Sequence, residues 1–144
     1  MAVALDADAV VGFLDRSDAL HGSAVELIGR AAASDSLAIS AITLAEVLTG
    51  VRLGHHDETV VRGFVADLIT AVIPVDEEVA EMAARIRAET SLRMPDALVL
   101  ATALVQADVE ALITGDVKLA NAAGAELEVE LLVEPEQRLK DSPQ

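Results

Sequence analysis

Short apolar runs alternate along this chain with longer stretches in which hydrophobic residues recur every three or four positions. Residues 1–5 form an apolar run that stops at Asp6 and predicts a buried strand, after which residues 9–14 predict a short helix. Asp18 is placed to cap a helix reaching Ala33, with Leu20, Ala24, Leu27, Ile28 and Ala31 along one face, and Ser34, Asp35 and Ser36 end it. A second strand is predicted over 37–40 and a helix over 42–51, closed by Gly54. Residues 55–70 predict a further helix and 72–75 a third strand. Asp76 opens a helix to Thr90, and Met94, Pro95 and Asp96 open a strongly apolar one to Gln106. Residues 109–114 are the fourth predicted strand, 117–123 a short helix stopped by Gly124, and 127–133 a final strand. The polar tail, 134–144, is expected to fray.

No hairpin dipeptide such as Asn-Gly joins any two of these strands, and helical stretches separate them. That pattern predicts an α/β class fold with three α/β/α layers around a central, mainly parallel sheet of four to five strands. No internal repeat or linker interrupts it, so residues 1–133 are read as one domain. In open sheets of this kind ligands gather beyond the carboxyl ends of the strands, where the strand order reverses.

Composition narrows the functions such a fold can serve. The chain carries 10 Lys+Arg against 25 Asp+Glu, a formal charge of −15, which argues against a nucleic-acid binder relying on a cationic surface. Phe13 and Phe64 are its only aromatic residues besides histidine, so a platform for stacking bases is missing too. With no Cys, disulfides, thiol nucleophiles and Cys-containing zinc sites are excluded. The opening MAVALDAD has no basic residue before its apolar ones, unlike a secretory signal. The longest apolar stretch, 97–105, is interrupted by Thr102 and is about half the roughly 20 residues that span a bilayer. A cytoplasmic protein with no membrane partner is the expectation.

Four acids stand near predicted helix starts: Asp6, Glu46, Asp96 and Asp116. Acids there cap free N–H groups and favour the helix dipole, and Thr43 with Glu46 fits a T-x-x-E capping box. Capping does not explain the sequence around each acid. The blocks LDADAVVGFL, SAITLAEVLTGV, LRMPDALVLATAL and ALITGDVKLA resemble, in order, those of PIN-domain ribonucleases, specifically VapC-type toxins of bacterial toxin–antitoxin pairs. The likeness runs from about Val3 to Val133, and PDAL followed by an apolar helix and then a T-x-D strand end is its most specific part.

The resemblance implies a PIN-like fold in which Asp6, Glu46, Asp96 and Asp116 surround a divalent metal and carry catalysis. It implies RNA as substrate, a 5′-phosphate and a 3′-hydroxyl as products, a homodimer, and neutralisation by a cognate antitoxin protein. After Asp6 the family has Ser or Thr and then Asn or Ser, where this chain has Ala7 and Asp8. Asp8 is read first as the N-cap of a helix beginning at Ala9, with a water-mediated metal contact as the other reading. Thr114 matches the family's hydroxyl two residues before the fourth acid and either orients that acid or is an ordinary strand threonine.

Clustered carboxylates in a partly dry cleft must bind cations, hold protons or pair with Lys and Arg. Lys118 is the only lysine near them in sequence. Mg²⁺ suits such oxygen ligands, and Mn²⁺ is expected to substitute. Arg85, Arg87 and Arg93 either line the approach to the acids or lie on solvated helix faces. His21, His55 and His56 lack the spacing of a zinc site, and no serine has nucleophile-elbow context. Two other functions compete. In a phosphoacceptor receiver domain Asp6 and Asp8 would imitate the paired acids, although no Lys follows a fifth strand; a PIN-like binding protein without turnover is the other. Val47, Leu48, Val51 and Phe64 are the expected exposed apolar residues for partner contacts.

Overall fold

The sequence AVAL at Ala2–Leu5 is buried along its whole length, and that requires cover on both faces of the strand it forms. The computed structural model describes residues 1–136 and supplies that cover. Ala2 and Ala4 pack into one apolar cluster and Val3 and Leu5 into another on the opposite side, as the two-residue period of a strand demands.

The elements run β1 (Ala2–Leu5), α1 (Ala7–Leu14), α2 (His21–Ser34), β2 (Ser36–Ser40), α3 (Ala41–Arg52), α4 (Glu58–Leu68), β3 (Ile69–Ile73), α5 (Glu77–Glu89), α6 (Met94–Val105), β4 (Val109–Thr114), α7 (Val117–Ala123) and β5 (Glu128–Leu131). The five strands form one sheet in the order β3-β2-β1-β4-β5, and every pairing is parallel. One cluster joins β1 and β4 to Val79, Ala83 and Ile86 of α5, to the apolar α6, and to Leu119 of α7. The other joins Val10 of α1, Ile28 of α2, Val47 of α3 and Phe64 of α4 to Leu37 and Ile39 of β2. Seven α-helices of the described residues therefore form the outer layers, four on one face and three on the other.

This connectivity decides where function sits. The chain moves outward from β1 through β2 to β3 with α1–α4 on one face, then returns across the other face to lay β4 against the free side of β1. The order reverses between β1 and β4, so the loops after Leu5 and Thr114 diverge and leave a crevice at their carboxyl ends.

Several boundaries differ from expectation for local reasons. Helix α1 begins at Ala7 because Asp6, in extended conformation, accepts the Ala9 N–H at 2.9 Å; Asp8 is not the cap. Asp18 accepts the Leu20 N–H at 2.8 Å in a turn ahead of α2, which starts later at His21. Ser40 caps α3 by accepting the Ile42 N–H at 3.0 Å, so the box proposed for Thr43 and Glu46 does not form. Helix α4 starts at Glu58 under an Asp57 cap, and its expected last residues, Ile69 and Thr70, enter β3 instead. There they lengthen an edge strand that stops before Pro74, which lacks the N–H to continue it. Gly124, at φ 56°, closes α7 in a conformation that costs an L side chain energy. The expectation for the tail beyond Glu136 lies outside the described residues. No helix of the described residues is long and apolar enough to cross a membrane.

Candidate active site

The crevice between β1 and β4 holds the acids. Asp6, Asp8, Glu46, Asp96 and Asp116 line one cleft of about 40 Å³, together with Ala7, Val99 and Leu119. Its volume suits a few ordered waters or a small ion rather than an organic ligand. The elements deliver these side chains separately: Asp6 from the end of β1, Asp8 from α1, Glu46 from α3, Asp96 from the first turn of α6, and Asp116 from the start of α7.

Capping and clustering are not exclusive here. One Asp6 oxygen, Oδ1, caps α1, and Asp116 Oδ1 caps α7 by accepting from the Lys118 N–H at 2.9 Å and the Leu119 N–H at 3.4 Å. The second Asp6 oxygen accepts from the Thr114 hydroxyl, and Thr114 Oγ1 in turn accepts the Asp116 N–H at 3.0 Å. A single buried hydroxyl thus ties the first acid to the backbone of the fourth. The carboxylates of Asp8, Glu46 and Asp96 make no hydrogen bond among the described residues and remain available to a ligand.

Electrostatics express the crowding. Burial pushes the Asp6 carboxyl up to about 7, against the stabilising Thr114 and Ala9 hydrogen bonds, and the charges of Asp8 and Asp116 add to the rise. Asp8 is raised by burial and then by Asp116, Asp18 and Asp96. Glu46 is raised by burial, Asp96 and Asp8, and Asp96 by burial and Asp116; Arg93 opposes both. Carboxylates that raise one another in a small cleft form a site that gains from a cation, and an all-oxygen donor set matches a hard divalent ion. Among the described residues no three Asp, Glu or His side chains already form a coordinating set.

The three arginines separate. Arg93, at the N-terminus of α6, acts on Glu46 and Asp96. Arg85 pairs with Glu126 at 3.1 Å and with Glu89, and Arg87 donates to the Leu92 carbonyl at 2.6 Å; neither is among the residues that line the cleft. His21 Nδ1 bonds the Gly12 carbonyl at 2.8 Å, and the His56 ring lies against Gly50. The apolar residues expected to be exposed are not. Val47 and Phe64 are buried, Leu48 and Val51 are half-buried, and all four pack into the core. Their place on helices α3 and α4 faces the sheet, and Leu53, Val60 and Leu68 are the exposed large apolar side chains of that stretch.

The sequence model of the PIN domain matches residues 3–125. The chain belongs to the PIN domain family. Among solved structures, this PIN domain is similar to a toxin–antitoxin complex from Klebsiella pneumoniae, with 27% identity and a TM-score of 0.66 over 92% of this chain and 98% of the other. The likeness to VapBC2 from Rickettsia felis, bound to a DNA fragment from its promoter, has a TM-score of 0.74 and 19% identity, covering 92% of this chain and 100% of that one. VapC20 from Mycobacterium tuberculosis, a Sarcin-Ricin loop cleaving toxin, gives 0.65 at 20% identity over 88% and 98%. No curated protein sequence matches.

The PIN fold also removes one competitor. Receiver domains are doubly wound in the order 2-1-3-4-5, whereas this sheet runs 3-2-1-4-5, so the receiver reading fails on topology. Asp8 enters the cleft because Asp6, and not Asp8, caps α1, which leaves the Asp8 carboxylate free of the helix start.

Proposed function

We propose that this PIN domain is a metal-dependent endoribonuclease, the toxin of a toxin–antitoxin pair, acting in the cytoplasm as a homodimer held in check by a cognate antitoxin. The observation that carries this reading is the convergence of five carboxylates from five elements on one cleft at the switch point of the sheet. The structural likeness to complexes of toxins with antitoxins supports the partner.

Asp6, Glu46, Asp96 and Asp116 are the proposed ligands of Mg²⁺, with Mn²⁺ as a substitute, and Asp8 adds a fifth carboxylate to the same cleft. The bound ion would supply counter-charge, an activated water and neutralisation of charge developing on the phosphodiester. The chain's own residues prepare the rest. Thr114 fixes the relative positions of Asp6 and Asp116. Arg93 offsets the negative charge of Glu46 and Asp96 and gives an incoming phosphate one favourable contact in a protein of charge −15. Val99 and Leu119 form the apolar wall that limits water around the acids.

The test is cleavage of a panel of structured RNAs, ribosomal stem-loops included, by purified protein with Mg²⁺, with chelator, and with Asp96→Asn. Cleavage that requires both the ion and Asp96 is expected. Equal cleavage under all three conditions refutes the mechanism, and RNA binding without any cleavage leaves a PIN-like binding protein.

A further inference from the structure

Beside the carboxylate cleft lies a second depression, of about 300 Å³, between the α5–α6 turn and the outer face of α7. Thr90, Ser91 and Leu92 form one wall, and Lys118 and Asn121 form the other, with Glu89 at the rim. The two cavities share α7: Asp116 and Leu119 face the cleft, while Lys118 and Asn121 face the groove. The two cavities therefore flank the same helix.

Both walls are fixed. Thr90 Oγ1 donates to the Ile86 carbonyl at 2.8 Å and accepts the Leu92 N–H at 3.2 Å, and the Leu92 carbonyl accepts from Arg87. Asp116 anchors the opposite wall as the cap of α7. The groove is therefore preformed, which lowers the ordering cost of binding.

Its charge is not neutralised within the protein. Arg30, Arg52, Arg62 and Arg85 each pair with a glutamate, whereas Arg16, Arg87, Arg93 and Lys118 have no ion pair among the described residues, and of these four only Lys118 lines the groove. Lys118 is exposed and has no ion pair among the described residues, although it stands two positions from Asp116. The Ser91 hydroxyl and the Asn121 amide, also exposed, have no hydrogen-bond partner among the described residues either. The carboxylate at the rim, Glu89, is engaged with Arg85 at 4.0 Å.

A free ammonium with two neutral hydrogen-bonding groups beside it suits a phosphate-bearing strand and not a cation or an apolar side chain. We infer that this groove holds the RNA strand on one side of the bond to be cut. Lys118 pairs with the phosphate of the adjacent nucleotide, and Ser91 and Asn121 bond oxygens of that nucleotide. The inference rests on the nuclease reading. It makes Lys118 and Asn121 positioning residues, distinct from the acids that carry the chemistry.

The experiment compares wild type, Lys118→Gln, Lys118→Arg and Asn121→Ala on one RNA that wild type cleaves. Steady-state cleavage is measured together with anisotropy of the same RNA, bound in the Asp96→Asn background, across a KCl series. Lys118→Gln is expected to raise KM about five- to tenfold with kcat nearly unchanged, the mark of lost binding common to ground and transition states. The slope of log affinity against log salt should become shallower by about 0.7, the contribution of one phosphate on a single strand. Lys118→Arg restores both, and Asn121→Ala raises KM without altering the slope. If wild type cleaves and Lys118→Gln changes neither KM nor slope, the groove assignment falls while the nuclease reading stands. If wild type cleaves no RNA, the nuclease reading fails and takes the groove with it. Loss of antitoxin binding with RNA binding unchanged would reassign the groove to a protein partner and overturn the inference.

Discussion

The Thr114 hydroxyl donates to the Asp6 carboxylate across the junction of β4 and β1 and accepts the Asp116 N–H at 3.0 Å. Three residues from two strand ends are thereby held by one side-chain oxygen that is fully buried. Groups that orient ligands in this way are typically worth ten- to a hundredfold in metal affinity. Thr114→Val, which keeps the shape and removes the hydroxyl, is expected to weaken Mg²⁺ binding by about that factor, while Thr114→Ser stays within a few-fold of wild type. Calorimetric titration of the three proteins decides it. Equal affinity for Val and wild type would reduce Thr114 to a packing residue.

Asp6 also predicts how the metal-free protein responds to pH. Its carboxyl, ordinarily near 3.8, is pushed up to about 7 in the folded chain, chiefly by burial. Between those values the folded state retains a proton that the unfolded state has lost, so stability falls as pH rises. The contribution is fully present below about pH 4, declines through the interval and is gone above about 7; three units correspond to roughly 4 kcal/mol as an upper figure. Asp8, Glu46 and Asp96 shift in the same direction. Urea unfolding with chelator should show greater stability at pH 5 than at pH 8, a difference that Asp6→Asn reduces and that Mg²⁺ offsets at pH 8. A metal-free wild type more stable at pH 8 than at pH 5 would contradict the crowding of these acids.

The sequence exposes the fold where one physical cause dominates. The strands at Ala2–Leu5 and Val109–Thr114 are apolar runs ended by an acid or a small polar residue, and Val117–Ala123 lies between an Asp cap and a Gly stop, so each reads correctly. Where two signals overlap, reading fails. Ile69 and Thr70 continue the helical pattern of α4, but pairing of Ile69 with Leu37 takes them into the sheet. At Ser40 and Thr43 two hydroxyl residues compete for the cap, and only position 40 has the extended backbone. The grouping of Asp6, Glu46, Asp96 and Asp116 was legible through block resemblance, whereas the entry of Asp8 and the engagement of Arg85 with Glu126 depend on helix phase and distant contacts.

Gly50 and His56 make a further coupled pair. A Cβ at position 50 would lie 2.3 Å from His56 Cδ2 and 2.6 Å from Nε2, so the ring occupies the space that glycine leaves on α3. Alanine favours a helix interior by about 1 kcal/mol over glycine, yet Gly50→Ala must displace the ring, and overpacking costs about 1–3 kcal/mol. Net destabilisation is expected for the single change. Adding His56→Ala removes the obstacle, so the double variant should be more stable than the sum of the two singles predicts. Additive thermal shifts would mean that the ring moves freely aside.

Thr43 carries the remaining anomaly of the core. Its side chain is fully buried in the first turn of α3, and its hydroxyl has no hydrogen-bond partner among the described residues. Ser40 takes the capping role, so Thr43 Oγ1 bears the desolvation cost with no bond to offset it. Replacing an unsatisfied buried hydroxyl by a methyl of the same shape removes that cost. Thr43→Val is therefore expected to stabilise the protein by about 1 kcal/mol, and Thr43→Ser to give no such gain. Because valine conserves the volume one helical turn before Glu46, cleavage by the variant should match wild type. Urea midpoints at constant m-value measure the effect. A destabilised Val variant would mean that the hydroxyl is satisfied by a buried water, and the orphaned group would then be part of a hydrated network behind Glu46.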